Sequence, residues 1–363
     1  MKKNNIALFS GGTGGHVIPA VNFGNYLIDS GYRCSLFLDK RGLKFVKKFK
    51  GKIIIINSGH FSGNFFFIFK ALINLLFGFI QSFFYLLSIR PIKCIAFGSY
   101  ASFAPLTICT FLQFFKITNI YLHEQNSVMG KVNLIFTPYS KKVFVNFKKI
   151  KKINSRYNKK IFHVGMPNDV TLIYKKRNLN IDNNKIKIFV YGGSQGAVNL
   201  NKIFVKLINK LPSNYFKKIS IIFQSSKNQI DYIKSNLNSQ IKDVVINPFY
   251  ENINEILYGS DLALSRSGAG TINNIIFNQI PTILVPLPHA IYNHQYYNAK
   301  FLINNKSGIL IEEKDFNNEK TYLVFRDLIE NIDKRIDIIK NLQSIKLLDS
   351  NKLMSKEIFN EKI

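Results

Sequence analysis

The sequence contains no tryptophan and only three cysteines, Cys34, Cys94 and Cys109. The cysteines are odd in number and form no CxxC pair, which argues against a disulfide scaffold and indicates buried thiols in a reducing compartment. The first residues, MKKNNIALFSGG, include two lysines, but their apolar run is too short for a secretory signal. We therefore expect a protein that stays in the cytoplasm.

Acidic residues are also scarce: 21 Asp and Glu stand against 50 Lys and Arg, for a formal charge of +29. A basic surface can bind nucleic acid or an anionic membrane. However, the basic residues are 42 Lys and eight Arg, and Ile, Asn and Phe are abundant, which indicates an AT-rich coding bias. The lysines are scattered along the chain rather than grouped with aromatic residues, so nucleic-acid binding is disfavoured.

The 363 residues, 47% of them hydrophobic, are sufficient for two domains with their own cores. Short apolar strands that run into glycine-rich turns and then helices recur in both halves, as at Asn5–Ser10, Lys185–Tyr191 and Asp261–Ser265. Alternating strands and helices predict an α/β fold with parallel sheets covered by helices on both faces. The polar segment Asn168–Asn184 is predicted to link the two domains.

One long apolar segment, Phe65–Ile89, has the length of a membrane span. It is interrupted by polar residues and lies between predicted strands of one sheet, so we expect two amphipathic or buried helices with a break near Gly78. An outer apolar face with Lys70 at its rim would suit a membrane interface. A buried core helix is the alternative, since periodicity does not identify what covers the apolar face.

Three glycine-rich turns follow predicted strands and open predicted helices: residues 10–16 (SGGTGGH), 192–197 (GGSQGA) and 265–271 (SRSGAGT). Such turns let backbone N–H groups approach a ligand, and a helix N-terminus favours negative charge. The first turn is neither a P-loop nor the GxGxxG fingerprint. Each could be merely a close-packed turn, and Ser194 could be only an N-cap. Together, the three turns suit a nucleotide-linked substrate held between domains.

These turns occur in the order of a known family, together with HEQN at 123–126 and PTILVPLPHAIYNHQYYNA at 281–299. FGSYAS at 97–102 looks like a relaxed form of that family's GGYVS motif, with Ser99 in place of a glycine. The sequence resembles the MurG family, the UDP-N-acetylglucosamine–N-acetylmuramyl-(pentapeptide) pyrophosphoryl-undecaprenol N-acetylglucosamine transferases. The resemblance covers about residues 5–310.

The resemblance implies a GT-B glycosyltransferase fold, with two Rossmann-like domains facing across a cleft. Residues 1–167 and a final helix at about 345–363 would bind the acceptor and face the membrane, and residues 168–344 would bind UDP-GlcNAc. It implies inverting transfer of N-acetylglucosamine to the muramoyl C4 hydroxyl of lipid I, giving lipid II for peptidoglycan. The resemblance also implies a peripheral protein at the cytoplasmic face of the bacterial inner membrane. Partners would be anionic lipid and other cell-wall synthesis proteins.

Two residues are candidates for the base that an inverting transfer needs. His16 follows the first glycine turn, and a histidine is suited to proton transfer near neutral pH. It could instead only position the acceptor by hydrogen bonding. Glu124 of HEQN is the alternative base, or else it orients the neighbouring loop.

The remaining site residues are assigned from the resemblance. In the first half, backbone N–H groups of Thr13, Gly14 and Gly15 would approach the sugar and diphosphate, and Asn126 offers a donor and an acceptor. Asn126 could instead be only a turn-stabilising residue. In the second half, Tyr250 would contact uracil, unless it is an ordinary surface aromatic, and Gln295 would contact the donor sugar. The remaining residues would bind the diphosphate and nucleotide: Ser194, Ala269, Gly270 and Thr271. No DxD pair occurs, so helix N-termini and basic side chains rather than a metal or other cofactor would offset the charge of UDP.

Two departures from the family pattern concern the donor. Asn274 occupies the position of a glutamate that grips the ribose, and losing such a charged hydrogen bond costs roughly 1.5–3 kcal/mol. Asp169 occupies the position of an arginine near the diphosphate, for which Arg266 is a candidate substitute. The departures leave two alternatives open: another UDP-sugar glycolipid transferase of the same fold, or a scaffold without turnover.

Overall fold

A computed structural model of the chain describes residues 5–59, 65–179, 185–192 and 198–359. The chain divides into two compact units. Unit 1 comprises the described residues up to Ile173 and those from Leu348 onward, and unit 2 comprises Tyr174–Leu347. The division lies inside the segment predicted to be the linker.

Unit 1 is built on a parallel seven-stranded sheet in the order β3-β2-β1-β4-β5-β6-β7. Its strands are β1 (Asn5–Phe9), β2 (Arg33–Leu38), β3 (Lys52–Ile55), β4 (Lys93–Ala96), β5 (Asn119–Glu124), β6 (Lys142–Val145) and β7 (Ile161–His163). The central strands are buried almost throughout, because helices cover both faces of a parallel sheet. The chain order reverses between β1 and β4, and the loops after such strands form the usual ligand site of an open α/β sheet.

The sheet of unit 1 is covered by helices in the connections between its strands. These are α1 (Gly14–Asp29), α2 (Phe65–Ile89), α3 (Phe103–Phe114) and α4 (Lys131–Phe136). α1 begins directly after the first glycine turn, as the sequence predicted. It therefore brings its N-terminus to the carboxyl end of β1.

Helix α2 differs from the expectation in two ways. It is one continuous helix of 25 residues, so the predicted break near Gly78 is wrong. Gly78 instead allows a close approach, because a Cβ there would lie 2.2 Å from the backbone oxygen of Asn57. The buried-core alternative is also wrong, since only 17% of its most apolar window is buried. By length and composition alone, the Ile68–Ile89 portion could cross a membrane.

Unit 2 has a parallel six-stranded sheet in the order β10-β9-β8-β11-β12-β13. Its strands are β8 (Ile186–Tyr191), β9 (Ile219–Gln224), β10 (Asp243–Asn247), β11 (Leu262–Ser265), β12 (Thr282–Leu284) and β13 (Ile309–Leu310). Its helices are α5 (Val198–Ile208), α6 (Lys227–Asn236), α7 (Ile253–Tyr258), α8 (Ala269–Asn278), α9 (His294–Asn304), α10 (Glu319–Glu330) and α11 (Ile332–Ser344). The short strands β6, β7 and β13 were not predicted; β7 and β13 lie at sheet edges.

Arg177 attaches the start of unit 2 to its helices. Its guanidinium donates to the backbone oxygens of Leu257, Ser260 and Asn278, at the C-terminal ends of α7 and α8. Burial lowers the pKa of Arg177 to about 10, which leaves the side chain a cation at neutral pH. Because the last carbonyls of a helix lack partners within it, this one cation binds two such groups, at Leu257 and Asn278, together with the Ser260 carbonyl just beyond α7.

The last helix, α12 (Ser350–Phe359), packs in unit 1. Lys142 of β6 donates to the Glu357 carboxylate at 2.8 Å, and Phe359 stacks on Tyr32 with ring centroids 4.4 Å apart. Asn351 donates to the backbone oxygen of Asn168 at 2.8 Å. These contacts bind α12 to the sheet that also carries the first glycine turn.

Candidate active site

The loops after β1, β4 and β5 meet at one edge of the unit 1 sheet, and His16 of α1 contacts two of them. Its Nδ1 lies 2.8 Å from the Phe97 backbone oxygen and 2.9 Å from Gln125 Oε1. Gly98 makes room for the ring, because a Cβ there would lie 3.3 Å from two imidazole atoms in a backbone conformation (φ +79°) that other residues rarely adopt. His16 is half-buried, so its ring can reach a ligand.

The protonation of His16 follows from its neighbours. A backbone carbonyl can only accept a hydrogen bond, so Nδ1 must carry the proton that it donates to Phe97. Nε2 makes no hydrogen bond within the described part of the chain. Neutral His16 therefore presents an unprotonated nitrogen, as a general base requires.

His123 lies behind Gln125 and is fully buried. Its Nδ1 is 3.1 Å from Gln125 Nε2, and its Nε2 is 2.9 Å from the Gly165 backbone oxygen. Burial lowers the pKa of His123 to about 4; the bond to Gly165 opposes this shift, and nearby His16 adds to it. His123 is therefore neutral wherever the protein is folded near neutral pH.

We expect the burial of neutral His123 to make unit 1 sensitive to acid. The pKa of His123 is lower in the folded than in the unfolded chain, so its contribution to stability is complete above about pH 6.5 and lost as pH falls toward 4. A shift of this size corresponds to about 3 kcal/mol. Denaturant unfolding of wild type and His123→Asn at pH 7.5, 5.5 and 4.5 measures it. The stability difference between the two should shrink toward acid pH, and a constant difference would contradict the assignment.

Glu124 is buried, and its carboxylate is held by four hydrogen bonds. Oε1 accepts from the backbone N–H and side-chain amide of Asn126, at 3.0 and 3.3 Å. Oε2 accepts from the Gly130 N–H at 2.9 Å and from Asn133 Nδ2 at 2.8 Å. This arrangement closes the loop after β5 and holds half-buried Asn126 in place. It favours the loop-orienting alternative for Glu124 over a role as base.

The first turn of α1 offers donors for an anion. Thr13 is the N-cap residue, but its side chain makes no capping bond, and no acidic residue lies in the first turn. The N–H groups at a helix N-terminus lack partners within the helix, and the helix dipole favours negative charge there. The Thr13 N–H already donates to the Gly11 backbone oxygen at 3.0 Å, so the predicted role of Thr13 as a backbone donor is not supported. Gly14 and Gly15 lie where backbone donors could bind a diphosphate.

Sequence analysis missed a charged group beside this turn. Asp39, at the end of β2 and 4% exposed, accepts from the Gly12 N–H at 2.9 Å and forms an ion pair with Arg41 at 2.6 Å. Ser58 also donates to Asp39, at 3.2 Å. The signal available in the sequence was an aspartate directly after a buried strand next to β1.

In unit 2, the second glycine turn lies largely outside the described residues, and so does Ser194. The third turn follows β11 and opens α8 at Ala269, with Gly268 as the N-cap. A Cβ added at Gly270 would meet no atom within 4 Å, so the backbone there borders open space. Thr271 is buried in the same turn. This end of α8 therefore presents backbone donors beside open space.

Arg266 of this turn is 6% exposed, and both terminal nitrogens of its guanidinium have partners. It donates to the backbone oxygens of Val285 and Pro286 and forms an ion pair with Glu313. Asn199, at the start of α5, donates to the same Glu313 carboxylate at 2.8 Å. This geometry favours a role in holding three loops together over direct contact with phosphate.

The other residues predicted for the donor site differ in the hydrogen-bonding groups that they leave for a ligand. The Tyr250 hydroxyl donates to the Phe223 backbone oxygen at 3.2 Å, its ring packs edge-on against Phe189, and burial raises its pKa. Gln295 Oε1 accepts from the Leu287 N–H at 3.0 Å, while its Nε2 has no partner in the described ranges. Asn274 is half-buried on α8. Gln295 therefore retains a donor for a ligand, whereas Tyr250 offers mainly its ring edge and backbone.

Within residues 5–59, 65–179, 185–192 and 198–359, no group of three or more His, Cys, Asp or Glu side chains could hold a metal ion. The polar groups that face the two candidate sites are backbone amides and carboxamides, with the His16 imidazole in unit 1.

Comparison with known proteins identifies the family of this chain. The glycosyltransferase family 28 N-terminal domain matches residues 6–145, and the family 28 C-terminal domain matches residues 187–352. The UDP-N-acetylglucosamine–N-acetylmuramyl-(pentapeptide) pyrophosphoryl-undecaprenol N-acetylglucosamine transferase of Rickettsia canadensis is 33% identical over 374 residues, covering 99% of each chain. The chain belongs to the MurG family. It is therefore a glycosyltransferase, as the motifs indicated.

Solved structures support the fold of the MurG family for this chain. Acinetobacter baumannii MurG has a TM-score of 0.76 at 19% identity, covering 98% of this chain and 99% of its own. The glycosyltransferase of kitacinnamycin has a TM-score of 0.70 at 12% identity, covering 99% of each chain. The predicted GT-B class with two Rossmann-like domains is confirmed. A further family member, from Anaplasma marginale, is 32% identical over 86% of each chain.

Proposed function

We propose that the protein transfers N-acetylglucosamine from UDP-GlcNAc to the C4 hydroxyl of the muramoyl sugar in undecaprenyl-pyrophosphoryl-MurNAc-pentapeptide, with inversion. The observation that carries this proposal is His16, whose Nε2 is available as a base beside the donor-rich N-terminus of α1, in a chain of the MurG family. The product is lipid II, the lipid-linked disaccharide used for peptidoglycan.

In the proposed acceptor site, unit 1 binds the lipid-linked substrate. The backbone donors of Gly14 and Gly15 bind its pyrophosphate or sugar, and Asn126 orients a hydroxyl or acetamido group. His16 Nε2 removes the proton from the C4 hydroxyl as that oxygen attacks the anomeric carbon of the donor. Proton removal raises the nucleophilicity of the hydroxyl at the moment when the bond to UDP breaks.

In the proposed donor site, unit 2 binds UDP-GlcNAc. The backbone at Ala269–Thr271 and the helix dipole of α8 stabilise the charge on the departing UDP, with Ser194 on the diphosphate. Gln295 donates to the sugar through its free Nε2, and Tyr250 contacts the base. Asn274 replaces a charged ribose contact by a neutral one, so we expect weaker donor binding than a glutamate would give.

We also propose that the protein binds the cytoplasmic face of the bacterial inner membrane through α2 and the end of α3. Exposed apolar side chains cover both: Phe69, Leu72, Leu76, Phe77 and Phe84 on α2, and Phe111, Phe114 and Phe115 at the end of α3. The basic residues Lys70, Arg90 and Lys116 are exposed around them. No Asp or Glu occurs between Asp39 and Glu124. An apolar surface with only basic charges suits an anionic lipid surface.

A transfer assay with purified protein tests the proposed function. Radiolabelled UDP-GlcNAc and a lipid I analogue should give a labelled disaccharide lipid, with UDP-glucose and UDP-galactose as comparison donors. A preference for one of those donors, with no product from lipid I, would instead identify another glycolipid transferase. If the protein binds UDP-GlcNAc but forms no transfer product even at high protein concentration, it is a scaffold without turnover.

A further inference from the structure

Three side chains of unit 1 form a continuous hydrogen-bonded chain that begins at His16. His16 Nδ1 lies 2.9 Å from Gln125 Oε1, and Gln125 Nε2 lies 3.1 Å from His123 Nδ1. His123 Nε2 then lies 2.9 Å from the Gly165 backbone oxygen. The chain thus runs from the proposed base, through the end of β5, to the loop after β7.

Backbone carbonyls determine the position of every proton in this chain, because a carbonyl oxygen can only accept. Phe97 O lies 2.8 Å from His16 Nδ1, so Nδ1 carries a proton. His123 O lies 3.2 Å from one end of the Gln125 amide, so that end is the NH2 group and the amide oxygen faces His16. Gly165 O requires a proton on His123 Nε2, which leaves His123 Nδ1 to accept from Gln125.

The hydrogen-bonded chain depends on the shielding of Gln125 and His123 from water and on His123 being neutral. Gln125 is 1% exposed and His123 is 0% exposed. Alternation along an extended segment places His123 and Gln125 on the same side, two residues apart. A protonated His123 would direct an Nδ1–H at the Gln125 NH2 group, and the burial that lowers the pKa of His123 to about 4 prevents this at neutral pH.

We propose that Gln125 and His123 are positioning residues that hold His16 as the Nδ1–H tautomer, with its Nε2 lone pair free to accept the proton of the attacking hydroxyl. This inference rests on the proposed function for the identity of that proton. Gln125 supplies His16 with a second acceptor oxygen, which orients the ring and stabilises the imidazolium that forms during transfer. Because its amide is uncharged, Gln125 does so without placing a carboxylate beside a substrate that carries a negatively charged pyrophosphate.

Other charged groups lie near this chain and bear on any measured pH dependence. The Glu124 carboxylate contacts Asn133, whose amide lies beside Gly98 and the His16 ring. The Asp39–Arg41 ion pair lies beside Gly12, before the start of α1. Substitutions at Gln125 leave all of them in place, so a comparison of variants isolates the contribution of Gln125.

The activity test compares Gln125→Met with Gln113→Met. Gln113 bonds two backbone groups elsewhere in unit 1, which makes it a matched control. We expect Gln125→Met to lower kcat by about tenfold, since an acceptor for the developing cation is lost, with KM for UDP-GlcNAc changed less than twofold. The acid limb of its pH profile should move to lower pH, because losing the acceptor disfavours the imidazolium. Gln125→Glu, which restores an oxygen facing His16, should move the limb back toward higher pH.

Nitrogen-15 spectra of the histidine rings test the chain without turnover. At pH 8, wild type should show His16 protonated at Nδ1 and His123 protonated at Nε2, with His16→Gln and His123→Asn used for assignment. In Gln125→Met, His123 Nδ1 should lose the shift that marks its hydrogen bond. His16 protonated at Nε2 in wild type, or unchanged kcat and pH profile in Gln125→Met, would overturn the inference. If these spectra agree but wild type transfers no sugar, the proposed function fails while the hydrogen-bonded chain stands.

Discussion

His16→Gln is expected to lower kcat for transfer to lipid I by about 10²- to 10⁴-fold, while KM for UDP-GlcNAc changes little. The substitution removes the imidazole nitrogen that we propose takes the proton of the attacking hydroxyl at the start of α1. A glutamine can still donate to Phe97 O, so the loop after β4 keeps its partner and the effect is confined to proton transfer. Steady-state kinetics with a soluble lipid I analogue measure the change.

His163→Gln serves as the control for the loss of a histidine. His163 lies in β7 of the same unit, is exposed, and bonds only the Asn146 backbone oxygen among its described neighbours. Its kcat should match wild type. A loss of less than tenfold in His16→Gln would mean that His16 positions the acceptor without taking its proton, and the base would have to be another group.

The double variant Leu76→Glu/Phe84→Glu should lose about 10²-fold or more in binding to vesicles that contain anionic phospholipid. Leu76 and Phe84 are 60% and 66% exposed on one side of α2, two turns apart. Burying such a side chain in lipid contributes about 1.5 kcal/mol or more, so losing two corresponds to about 3 kcal/mol, roughly 150-fold. The two added carboxylates also repel the anionic surface. Vesicle sedimentation over a range of lipid concentrations measures the loss.

Val170→Glu/Ile173→Glu is the matched control, because these apolar side chains of unit 1 are also exposed, at 54% and 77%, and receive the same charges. Its vesicle binding should remain within about threefold of wild type. Both double variants should keep the wild-type rate on a water-soluble acceptor, since α2 carries no proposed catalytic group. Equal losses in the two variants, or stronger binding of wild type to neutral vesicles than to anionic ones, would contradict the proposed surface.

The strands that carry the site could be predicted because their signal is local. β1, β5, β8 and β11 each contain a short apolar run, and the glycine turns after β1 and β11 open helices at Gly14 and Ala269, as expected. Edge strands such as β7 and β13, of three and two residues, are too short to give a pattern of their own. Their place depends on pairing with a neighbour already in the sheet.

Hydrogen-bond and ion-pair partners could not be predicted where the two residues are far apart in the sequence. Glu124 could be the base or the loop anchor on sequence grounds, and only its four hydrogen bonds favour the anchor. Arg266 was a candidate for contact with phosphate until Glu313, 47 residues away, was found paired with it. A side chain's chemistry is visible in the sequence, but whether its hydrogen-bonding capacity is free or already used is not.

The sequence by itself therefore determined the family, the α/β class and the glycine turns at which we propose that ligands bind, since each depends on residues that are adjacent or regularly spaced. The tertiary structure decided three other matters. It left the apolar face of α2 exposed, because the sheet and α3 cover only part of a helix that is apolar nearly all round. It directed His16 Nδ1 at Phe97 and Gln125, 81 and 109 residues away. It also buried His123 behind them, because long-range packing alone determines which polar groups lose contact with water.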